Sequence, residues 1–232
     1  MNNHRIAIIF ILFWIVSLST VAAGDGMQPC GASVLGQDAF DSRIGSAFLE
    51  GTCIDHSQSV AVIQALVLPS FESEWLVSVY EGRDHKFEVE LITLDATLWY
   101  ANQTDTPIQG SDMGVRTLSA IPRTVPSHCY TRPIPDIIAK ELIKLWQYQI
   151  LNVKYPPASI GGFDGVSYTF AVVYDYLATA TACAFSPPQG TGANDLVITS
   201  QLLCELAIAK TPDETAGFEK QLWIVSQKHA EQ

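Results

Sequence analysis

From Lys86 to Leu94 the chain alternates, with Phe87, Val89 and Leu91 set against Glu88, Glu90 and Ile92. A period of two places one side of a strand against a core. Glu74 to Tyr80 alternates in the same way, and Val60 to Leu68 is apolar and β-branched, which suits a pleated, half-buried surface. The polar stretch EGRDH, with Gly82, lies between Glu74–Tyr80 and Lys86–Leu94 and reads as a hairpin connection. Leu98 to Ala101 adds a short fourth strand carrying Trp99 and Tyr100.

The pattern stops between Asn102 and Pro135, where Pro107, Pro122, Pro126, Pro133 and Pro135 join Gly110 and Gly114 in interrupting any long element. A connection of that length is a lid, a binding loop or a boundary between subdomains. Arg116 to Ile121 reads as a short strand within it, and Asn102-Gln103-Thr104 has the form of an N-glycosylation acceptor.

Helical spacing governs the next stretch. Pro135 suits a first turn and Asp136 adds a favourable negative charge there. Ile138, Leu142, Leu145 and Trp146 then form one apolar face through about Leu151, until Tyr155-Pro156-Pro157 and Gly161-Gly162 end the helix. Ser167 to Asp175 is apolar on both faces, which predicts a central strand pairing with Thr179 to Phe185. Asn194 or Asp195 caps a helix running to about Lys210, with Leu196, Leu203, Cys204 and Leu206 inward. Thr211-Pro212-Asp213-Glu214 is a capping box that opens a last helix with Phe218, Leu222 and Val225 inward. The expected fold is α+β: an antiparallel sheet with three helices, two of them at the C-terminus, packed mainly on one face. Residues 24–232 read as a single domain. The alternative is a division into a strand-rich 24–115 and a helix–hairpin–helix–helix 116–232.

Arg5 precedes the apolar run Ile6 to Val16, and Ser17 to Ala23 ends in Val-Ala-Ala ahead of Gly24. That is the three-part pattern of a signal peptide, residues 1–23, cleaved after Ala23. Ile6 to Ala23 is also long enough for a retained anchor, and either reading sends Asp25 onward out of the cytoplasm. A periplasmic or secreted protein follows, with no membrane attachment after cleavage.

Hydrophobic content of 48% with only 16% charged residues argues a compact globule. Removing the leader takes away one arginine and no acid, leaving 12 basic and 24 acidic side chains. Such acidity speaks against nucleic acid and anionic lipid, whose binding needs clustered Lys and Arg. It fits a basic protein partner.

Five cysteines in an oxidising compartment predict two bridges and one leftover thiol. Connectivity does not follow from spacing. The preferred pairing is Cys30 with Cys53 and Cys183 with Cys204, the latter tying a strand to the helix that covers it, with Cys129 left over.

Asp164-Gly165 follows two glycines and precedes a strand, so Asp164 is first a turn residue; a binding role is the second reading. The run Asp164-Gly165-x-x-Tyr168-x-Phe170, then Ser186-Pro187, then a capped helix, resembles the C-terminal hairpin layout of uncharacterised exported bacterial proteins. The resemblance implies a bacterial periplasmic setting and carries no activity and no site residue. Nucleophile-elbow, HExxH, P-loop, CxxC and dinucleotide motifs are absent, so no catalytic residue and no cofactor is assigned. Cys53-x-x-His56 with His128-Cys129 has the ligand types of a zinc site or of a cysteine–histidine nucleophile. Oxidation of the cysteines outweighs both readings, and no metal is assigned.

Trp99-Tyr100 beside Asp105 and Asp112 suits a protein interface. The expected function is therefore an exported non-enzymatic binding protein, of the inhibitor or immunity type, for a basic partner. Alternatives are an envelope hydrolase with an acid–base site built on Asp164 and loop carboxylates, or a structural envelope component.

Overall fold

The computed structural model describes residues 27–30, 47–48, 50–98, 103–104, 117–118, 125–153, 165–175 and 178–227. The stretch expected to be a signal peptide, residues 1–23, lies outside them. Seven strands form one sheet: β1 (Met27–Pro29), β2 (Ser59–Pro69), β3 (Trp75–Gly82), β4 (Phe87–Leu94), β7 (Ser127–Ile134), β8 (Val166–Asp175) and β9 (Ala178–Phe185). Their order is β1-β9-β8-β2-β3-β4-β7, and every neighbouring pair is antiparallel. Strands from both halves of the chain thus share one sheet, with β2 seated between β3 and β8. A separate small ladder pairs β5 (Gln103–Thr104) with β6 (Thr117–Leu118).

Among the described residues three long helices complete the α+β fold: α1 (Asp136–Leu151), α2 (Gly192–Ile208) and α3 (Pro212–Gln227). α1 and α2 lie on the sheet, and α3 packs against both of them. Side chains alternate across a strand, so Ile63, Ala65, Val67, Val77, Val79, Val89, Leu91, Phe170 and Val172 all meet the helices. Opposite them stand Leu142, Trp146, Leu196, Leu203, Leu206 and Leu222. The Trp146 indole meets Phe170 edge-on and donates to Thr199 Oγ1 at 3.1 Å, locking α1 to α2 with its one polar atom satisfied. The far face has a smaller core of Phe48, Leu66, Leu76, Ile92, Leu94, Leu98 and Val125. Burial on both sides explains why β2 to β4 are so apolar.

The caps follow from local chemistry. At the start of α3, Thr211 Oγ1 accepts the Glu214 N–H while the Glu214 carboxylate accepts the N–H of Thr211 and of Lys210, the reciprocal pairing of a capping box. α2 begins earlier than the sequence suggests: Thr191, not Asn194 or Asp195, is the cap, and its hydroxyl accepts the Asn194 N–H.

Two expectations about the strands are corrected. Residues 127–134, read as patternless, form β7. Its prolines mislead because β7 lies at the sheet edge, where Pro133 takes no donor from the ladder. Leu98 is helical and not the start of a strand, its N–H held by both oxygens of the buried Glu74 carboxylate.

The disulfides are Cys30–Cys183 and Cys53–Cys129, and Cys204 is free. Cys183 pairs across the ladder with Thr169, on the face turned away from the helices, whereas Cys204 rides on α2. The sheet stands between them. Cys129 stands opposite Ile92 on the far face, where the segment after Phe48 folds over and delivers Cys53. No helix among the described residues is long and apolar enough to cross a membrane.

Candidate functional site

Trp99, Tyr100, Asp105, Asp112 and Asp164 lie outside the described residues. Gly165, beside Asp164, has φ of +151°, a conformation that glycine supplies. Its carbonyl accepts the Ser70 hydroxyl at 2.7 Å and its N–H donates to the same oxygen at 3.1 Å.

One row of ladder partners crosses all seven strands. Met27, Ala184, Tyr168, Val67, Trp75, Thr93 and His128 are successive neighbours on the helix-bearing face. Trp75 is only half-buried in this row, and two adjoining clefts open beside it. The first, of about 310 Å³, is lined by Val67, Ser70, Phe71, Glu72, Trp75 and Tyr168 among others. The second, of about 500 Å³, is lined by Trp75, Leu91, Thr93, Gln201, Cys204 and Glu205. Trp75 and Gln201 border both. Gln201, Cys204 and Glu205 occupy one face of α2 by their three- and four-residue spacing.

The groove combines aromatic side chains with carboxylates. Phe71 is 67% exposed and lines the first cleft with exposed Glu72, and exposed Glu205 lines the second. Within it the Cys204 thiol is pushed up by burial and, next, by the charge of Glu205. That keeps it a thiol at neutral pH and a poor nucleophile. What this surface can do chemically is bind: apolar contact at Trp75 and Phe71, amide hydrogen bonds from Gln201, and attraction for cations at Glu72 and Glu205.

A second polar cluster sits on the far face. Glu90 is 1% exposed, and one of its oxygens accepts the Thr52 hydroxyl at 2.8 Å and the N–H groups of Cys53 and Ile54 at 2.9 and 3.1 Å. Its other oxygen is buried with no hydrogen-bond partner. His56 Nε2 lies 2.9 Å from Thr52 Oγ1 and 3.1 Å from the Tyr80 hydroxyl, its ring stacked on that of Tyr80. Burial raises the Tyr80 hydroxyl first, and the nearby Glu90 charge adds to it. Glu90 therefore acts as a clamp that holds residues 52–54 on the sheet. His128, expected near Cys129, points to the opposite face and pairs with Asp95 at 2.8 Å.

Sequence reasoning missed the groove because Trp75 falls inside an expected strand and neither Gln201 nor Glu205 belongs to a motif. Phe71 in "SFESEW" was the available signal, a large apolar side chain among polar neighbours. No known protein family, curated protein or solved structure matches the chain.

Proposed function

We propose that this protein is an exported, non-enzymatic binding protein of the inhibitor or immunity type, which seats a basic segment of a protein partner in the Trp75 groove. The observation that carries this reading is the meeting of half-buried Trp75 and exposed Phe71 with the exposed carboxylates of Glu72 and Glu205, one lining each of the two adjoining clefts. Aromatic side chains that bury large area at little entropic expense are the usual anchors of an interface. Glu72 and Glu205 then select for lysine or arginine, and the formal charge of −11 over the chain steers a cationic partner inward. Two disulfides support an oxidising workplace, periplasmic or extracellular.

The test is an NMR titration of the oxidised protein with a lysine- and arginine-rich peptide and with its glutamate counterpart. The basic peptide should shift the Trp75 indole N–H and weaken as salt rises. Glu72→Lys with Glu205→Lys should remove the shift, and Trp75→Ala should weaken binding at least tenfold. Equal response to both peptides, or unchanged affinity in Trp75→Ala, overturns the reading.

A further inference from the structure

The ligand types singled out in Cys53-x-x-His56 and His128-Cys129 are rearranged by the fold. Strand alternation sends His128 to the helix face, while Cys129 turns to the far face, where Cys53 arrives from the loop. A carboxylate joins them there: Glu90 Oε1 lies 3.5 Å from Cys129 Sγ. Cys53 Sγ, Cys129 Sγ and a Glu90 oxygen all lie within 4.8 Å of one another. Bonds of about 2.3 Å to sulfur and 2.0 Å to oxygen around a tetrahedral ion need donors roughly 3–4 Å apart, so small side-chain adjustments suffice. Glu90 is itself 1% exposed: Oε1, the oxygen beside Cys129 Sγ, accepts the Thr52, Cys53 and Ile54 donors, and Oε2 is shielded without a hydrogen-bond partner.

We propose that Cys53, Cys129 and Glu90 form a binding site for a borderline-soft divalent cation, best matched by Zn²⁺, when the Cys53–Cys129 bridge is reduced. Two thiolates and a carboxylate suit zinc over calcium or magnesium, which take oxygen donors. Binding releases the two thiol protons and gives the buried carboxylate a counterion. The fourth position falls to water or to His56, which already reaches Thr52 beside Glu90. Bridge and metal use the same two sulfurs and exclude each other. Oxidised glutathione, for example, accepts two electrons from the thiolates, the S–S bond forms, two glutathione thiolates leave, and the ion is freed.

The experiment reduces the full chain with a phosphine, removes the phosphine without air, and titrates Co²⁺ as an optical probe displaced by Zn²⁺. One ion per chain with thiolate-to-cobalt charge-transfer bands is expected, retained in Cys204→Ser and lost in Cys129→Ser. Glu90→Gln should weaken it at least tenfold with the thiol count unchanged. Peptide mass mapping keeps the test decisive if reduction loosens the fold: Zn²⁺ must retard re-formation of Cys53–Cys129 several-fold more than that of Cys30–Cys183. Equal retardation of both bridges, bands that survive in Cys129→Ser, bands lost only in Cys204→Ser, or unchanged affinity in Glu90→Gln would overturn the site.

Discussion

The carboxylate of Glu90 accepts the backbone N–H of Cys53 at 2.9 Å, and Cys53 is in turn bridged to Cys129 on the neighbouring strand. One loop is therefore held twice, once covalently and once by a buried acceptor. Glu90→Leu strands the N–H of Cys53 and leaves the Ile54 N–H only its longer bond to Thr52 Oγ1 at 3.3 Å, and should lower the unfolding free energy by about 1–3 kcal/mol. Glu90→Gln keeps a carbonyl oxygen in place and should lose less. Urea unfolding of the oxidised proteins ranks the two variants, and a Gln variant weaker than the Leu variant would contradict the clamp.

Cys204 should alkylate slowly in the folded protein. Burial disfavours its thiolate, and the Glu205 charge adds to the effect, so reaction with iodoacetamide near pH 8 should run at least tenfold slower than in denaturant. Glu205→Gln should recover a small part of that difference. Peptide mapping of the same samples should return Cys30–Cys183 and Cys53–Cys129 as the bridged pairs.

The Glu214 carboxyl is lowered by the N–H groups of Lys210 and Thr211 that it accepts. A lowered folded value means that the contribution is fully present above the ordinary carboxylate range and is lost as pH falls through the folded value. Glu214→Gln should therefore melt below the wild type at pH 7, and the gap should close as the solution is acidified below about pH 4. A gap that widens in acid would reverse the sign.

Gly165→Ala tests the turn ahead of β8. The backbone there has φ of +151°, and an added Cβ would lie 2.5 Å from both Phe185 Cζ and Ser186 Oγ. Strain and crowding should together remove about 2–4 kcal/mol, read from a fall in melting temperature.

What could be read from the residues is what local chemistry decides. The helix at 136–151 follows from its apolar spacing, the last helix from Thr211 and Glu214, and the β8–β9 hairpin from its double-sided apolar pattern. β7 was hidden because proline argues against a strand until the strand is known to lie at an edge. The bridges were hidden for a similar reason. Whether Cys183 faces α2 depends on which face of the sheet the helices choose, and that choice is made by contacts among distant residues. The groove needs Trp75, Tyr168 and Gln201 side by side, and only the β8-β2-β3 order brings them together. Trp99, Tyr100, Asp105, Asp112 and Asp164 remain the sequence's own candidates for an interface, outside the described residues.

The crossed pairing of the cysteines bears on biogenesis. During vectorial synthesis or translocation, Cys30 and Cys53 emerge first and close together, yet neither is the other's native partner. β2 likewise waits for β8, whose Val172 pairs with Ile63 only after most of the chain has appeared. An oxidase acting on the nascent chain would join Cys30 to Cys53 and trap a non-native loop. Maturation then depends on an isomerase that reopens it, and a host lacking that enzyme should accumulate the mispaired form.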